Sequence, residues 1–102
     1  MVRLIEVVNT TQYNPRHERV ATPSFTLQEL WINEQHVVNL RRAAGYNRLL
    51  QEGRLPSELD DTHEFTAITT LTGGVQEVYV VVGELASVAR KVSVEKPTLL
   101  KG

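Results

Sequence analysis

The chain has no cysteine in its 102 residues. This excludes disulfides, thiol nucleophiles and zinc sites of thiolate type, and it suits a reducing compartment. Neither sign of charge is in excess: eleven basic and twelve acidic residues leave a formal charge of −1. A dedicated nucleic-acid binder usually has a basic excess, so nucleic-acid contact here has to come from a local patch and be sensitive to salt. No apolar run approaches the roughly 18 residues of a membrane span. The opening MVRLIEVVNT carries Arg3, but its apolar run is short and holds Glu6, which does not suit a signal peptide. Ser24, Ser57, Ser87 and Ser93 lie in no nucleophile elbow, and Gly73–Gly74 is no phosphate loop. Asp60, Asp61, His63 and Glu64 have metal-ligand chemistry, but no spacing that sets a coordination geometry. The sequence therefore reads as a non-enzyme without metal or cofactor.

An apolar content of 41% supplies one modest core. The expected organisation is one small domain over 1–95 and a loose tail over 96–102. VRLIEVV (2–8) reads as a strand by its β-branched residues. Polar NTTQYNPRHERVATP, with Pro15 and Pro23, reads as a long loop. Its Arg16, His17 and Arg19 could make a basic arm. In SFTLQELWIN the apolar parity changes from Phe25 and Leu27 to Leu30 and Ile32, predicting a bulge or bend near Glu29. A turn at Asn33–Gln35 leads to a third strand over 36–42. Residues 43–63 form an excursion with a helical turn stopped by Gly53, and then a solvated acidic stretch.

EFTAITTLT (64–72) and VQEVYVVV (75–82) form a hairpin about Gly73–Gly74, followed by a short helix in ELASVARK. Five short strands with little helix predict an all-β fold: a small, strongly bent five-stranded barrel with a short helix and a long inserted loop. The run Val78, Tyr79, Val80, Val81 and Val82 has no polar phase, although the outer face of a barrel strand normally meets water. Either the chain's own helix or excursion covers that face, or a second subunit does. Head-to-tail repetition of a subunit contact closes a ring. These five residues are the expected oligomer interface.

The pattern FTLQELWINEQHVVNLRR, EGRLP, EFTAI and a VVVG strand end resembles the Sm-like (LSm) family of small five-strand β-barrels, specifically short members of apparent marine cyanophage origin. The likeness covers roughly residues 25–92. It implies a cytoplasmic homo-oligomeric ring, in the host cytoplasm if phage-encoded, with a role on RNA or single-stranded DNA and no membrane association. Glu34, Gln35, His36 and Asn39 echo the family's first motif, but Val37 and Val38 stand where the family has one residue. With a strand period of two, His36 and Asn39 then point to opposite faces unless a bulge intervenes. The second motif has an arginine before the turn glycine; here Thr72 stands before Gly73.

The candidate nucleic-acid residues are His36, Asn39, Arg41, Arg42, Tyr46 and Arg48: guanidiniums for phosphate, His36 or Tyr46 for stacking, and Asn39 for a hydrogen bond. Trp31 reads as core or interface. The segments WIN, VVNL and LTGGVQEVYVV are also similar to small FlbD-type flagellar proteins. That likeness implies the alternative, a structural or protein-interaction module without nucleic acid.

Overall fold

The computed structural model describes residues 1–10, 12–13, 21–22 and 24–95. The basic arm around Arg16, His17 and Arg19 and the tail over 96–102 lie outside them. Seven strands occur among the described residues. They are β1 (Val2–Asn9), β2 (Gln12–Tyr13), β3 (Ala21–Thr22), β4 (Phe25–Ile32), β5 (Val37–Arg42), β6 (Phe65–Thr72) and β7 (Val75–Val82). Two α-helices, α1 (Ala44–Gln51) and α2 (Leu85–Glu95), and a 3-10 turn over Glu34–His36 complete the described elements. Five strands form one antiparallel sheet in the order β4-β1-β7-β6-β5, and β2 pairs with β3 in a small ribbon. The chain is mostly β as expected, and its five-stranded sheet is antiparallel throughout, but the sheet does not close: no ladder joins β4 to β5.

The parity change along β4 has a different cause from the bulge expected near Glu29. The β1–β4 register runs unbroken from Val2 opposite Ile32 to Asn9 opposite Phe25. The sheet instead buries both of its faces, at different ends. On one face Val2, Leu4, Ile32, Val37, Ile68 and Val81 pack against Val88 and Val92 of α2. On the other, Val7, Phe65 and Leu55 form a core with Phe25, Leu27, Tyr46 and Leu49, under α1 and the 43–63 excursion. Side chains alternate across a strand, so one strand serves both cores by switching which parity is apolar.

The expected long loop after β1 is in part the β2–β3 ribbon. The short helical turn predicted before Gly53 is α1. It ends in a pair of hydrogen bonds, Gly53 N–H to Leu50 O at 3.1 Å and Arg54 N–H to Leu49 O at 3.0 Å, which satisfy its last carbonyls. Gly73 and Gly74 have φ of 57° and 83°, the left-handed pair that a two-residue hairpin turn demands. The C-terminal helix extends beyond ELASVARK to Glu95. No helix among the described residues is long and apolar enough to cross a membrane.

Candidate nucleic-acid interface

The segment between β4 and β5 is a tight turn. Asn33 Oδ1 accepts the backbone N–H of Gln35 at 3.0 Å, capping a single 3-10 turn over Glu34–His36. Glu34 is buried, with the Met1 amino nitrogen 3.0 Å from its Oε2. This anchors the turn to the start of β1.

A bulge does follow the turn. The β5–β6 register shifts between Val37, opposite Thr70, and Asn39, opposite Thr69, leaving Val38 as the extra, exposed residue. The insertion serves packing. It lets Val37 and Leu40, three positions apart, both join the core under α2. His36 and Asn39 are not brought together: Asn39 sits exposed opposite Thr69, on the sheet face of Phe65 and Ala67, whereas the His36 ring lies against Thr72.

His36 Nδ1 is 3.1 Å from Thr72 Oγ1. The two sit at the rim of a pocket of about 130 Å³, lined also by Leu30, Trp31, Ile32, Asn33, Thr70 and Tyr79. The same Thr70, Thr72 and Tyr79 line an adjoining hollow of about 300 Å³ with Val75 and Glu77. The pocket lies where the sheet stays open, at the tip of the β6–β7 hairpin. Tyr79 donates its hydroxyl to the Glu77 carboxylate. That bond, helped by partial burial and by the charges of Glu77 and Glu6, holds its phenol above the usual value of 10.0. The arrangement offers hydroxyls, an imidazole and an amide beside Leu30 and Ile32, groups suited to hydrogen-bonding a small planar polar ligand.

The other candidates are dispersed. Arg41 and Arg42, opposite Ala67 and Thr66, are exposed and project to opposite faces, as successive strand residues must. Arg48 is exposed on α1. Tyr46 is no free stacking platform. Its ring lies between Phe25 and Phe65, with centroids 6.0 Å from each. Trp31 is exposed and donates its indole N–H to Glu29 Oε1 at 2.7 Å. Arg3 also bonds Glu29, and with Trp31 it holds that carboxyl below its ordinary 4.5.

The valine run has neighbours within its own chain. β7 lies between β1 and β6, so it is an interior strand. Val81 is fully buried under α2, Val80 and Val82 pack in the core under α1, and Tyr79 packs beside the α2 core. Only Val78 of the five stays exposed, at 59%. Thr70 and Asn33 are pocket residues that the sequence did not single out. Asn33 is placed by capping the Glu34–His36 turn, and Thr70 by its pairing with Val37 just before the bulge. Among the described residues no group of acidic or histidine side chains could hold a metal ion. No family model, curated protein or solved structure matches this chain.

Proposed function

We propose that this chain is a ring-forming Sm-like module that binds RNA or single-stranded DNA at the open end of its sheet. The observation that carries the proposal is the 3.1 Å approach of His36 to Thr72. These residues belong to the two segments of the motif resemblance, and they meet at a pocket of about 130 Å³. A single unstacked base can enter there, with His36 at its side and the Asn33 amide and Thr hydroxyls at its edge. Arg41, Arg42 and Arg48 supply phosphate contacts around the rim of the subunit. Binding is mainly electrostatic and weakly sequence-specific. The strand order supports a barrel with one seam open. Taken cyclically, each of the five main strands neighbours those adjacent to it in sequence, and only the β4–β5 step, bridged by the Glu34–His36 turn, lacks a ladder. A cytoplasmic setting, the host's if the chain is phage-encoded, belongs to the same proposal.

A second reading, a module that only assembles or docks a protein, is favoured by the core position of Tyr46 and by the opposed directions of Arg41 and Arg42. Anisotropy titration of labelled oligo-uridine and oligo-thymidine at low and moderate salt separates the two. The proposal predicts binding that weakens with salt and falls about tenfold in His36→Ala, the scale of one stacked base. Absence of binding at low salt leaves the docking module.

A further inference from the structure

We infer that the open-end pocket reads the hydrogen-bond donor edge of its base, and that guanine fits it best. The inference rests on the proposed function and names the base that enters. Register and alternation set one face of the β6–β7 tip. Thr70 lies opposite Glu77 and Thr72 opposite Val75, and Tyr79 shares their face two positions on from Glu77. These residues line the hollow of about 300 Å³ that adjoins the His36 pocket.

The hollow is a place for donors. The Glu77 carboxylate is exposed and has no ion-pair partner among the described residues. No lysine or arginine lines either hollow. Tyr79 gives its hydroxyl proton to Glu77, so its oxygen presents lone pairs to anything else that enters. The same bond ties the carboxylate to the wall of the hollow. A carboxylate oxygen has two lone-pair sites, so both oxygens of Glu77 can still accept. An anion is repelled here, which leaves phosphates to Arg41, Arg42 and Arg48 and the hollow to a base. Uracil and thymine bring one N–H between two carbonyls, and a carbonyl that faces a carboxylate is repelled. Cytosine and adenine bring one amino group beside an acceptor nitrogen. Guanine brings two adjacent donors, its ring N–H and its 2-amino group, which match the two oxygens of a carboxylate in charge-assisted bonds. Only the base that enters is read in this way. The rest of the strand is held by phosphate, so the sequence preference of the whole strand stays weak.

Anisotropy titration at low salt tests the inference with labelled hexauridine and with the same strand carrying one central guanosine or one central inosine. Inosine keeps the ring N–H and lacks the 2-amino group. The native chain is expected to bind the guanosine strand about tenfold more tightly than hexauridine, the scale of one bidentate base contact, with the inosine strand between them. Glu77→Gln keeps the shape of the side chain and removes its charge; Glu77 is exposed, and circular dichroism checks that the fold is kept. This variant is expected to bind hexauridine at least as well as the native chain does, and to lose most of the preference for guanosine. Equal native affinity for hexauridine and the guanosine strand overturns this inference and leaves the proposed function standing. A guanosine preference that survives in Glu77→Gln overturns the assignment of the reading edge to Glu77. Absence of binding to all three strands overturns the proposed function, and this inference with it.

Discussion

The β6–β7 hairpin has two unlike ends. Where it meets the helices, Phe65, Ile68 and Val81 are buried to 2% exposure or less. At its turn, Leu71, Val75 and Val78 are 47–59% exposed. Apolar β-branched residues run through both ends, so composition does not separate them. The difference is cover: α1 with its excursion lies over the Phe65–Val82 end on one face, and on the other face α2 reaches as far as Val37, opposite Thr70, leaving Leu71, Val75 and Val78 exposed. The covered end holds the fold together. The uncovered end carries the His36–Thr72 pocket.

Substitutions along this axis should grade from severe to silent. Ile68→Ala opens a cavity in the α2 core and is expected to cost about 4 kcal/mol by urea unfolding. Tyr46→Ala removes the ring between Phe25 and Phe65 and should cost about 3 kcal/mol. If Tyr46 served as a base platform instead, the variant would lose oligonucleotide binding at unchanged stability, which would break the contrast. Gly83→Ala comes next. Gly83 has φ of 139°, and a Cβ there would meet Val88 Cγ2 at 3.1 Å, so a loss of about 2 kcal/mol is expected where β7 hands over to α2. Val78→Ala, at the open end, should stay within about 0.5 kcal/mol.

The smallest effect is electrostatic. Glu29 has its pKa lowered by the hydrogen bond from Arg3 first and by that from Trp31 second. A carboxyl with a depressed folded-state pKa contributes stability above its unfolded pKa and loses it as pH falls through the folded value. The group is fully exposed, so the effect on stability is small. Trp31 is the one tryptophan in the chain and bonds Glu29 directly, so its fluorescence reports the titration. The midpoint should lie below 4.5. A midpoint at or above that value would show that the Arg3–Glu29–Trp31 contact does not form in solution.

Much of the strand layout was legible in the sequence, because β-branched runs and the Gly73–Gly74 turn are local signals. The Asn33–Gln35 turn was legible for the same reason. Closure was not. Whether β4 and β5 pair depends on how α2 fills the space between Val37, Leu40 and Val2, and no local pattern encodes that. The cover of the valine run was left open because period two cannot say whether a second apolar parity is met by another subunit or by the 43–63 excursion of the same chain. Along β4, Leu30 and Ile32 looked out of phase with Phe25 and Leu27 only on the assumption of a single core. Of the candidate site, His36 was found from the resemblance, whereas Thr70 needed the β5–β6 register, which no local pattern encodes. Tyr46 looked like a binding residue beside Arg41, Arg42 and Arg48 because its partners, Phe25 and Phe65, lie about twenty residues away on either side.

Amide chemical-shift mapping with oligo-uridine tests most directly whether the uncovered end is the binding end. The account predicts perturbations concentrated at Asn33, His36, Thr70, Thr72 and Tyr79, with the amides of Phe65, Val81 and Val82 unmoved. Perturbations centred on α1 and the covered end, or none at saturating oligonucleotide, would contradict it.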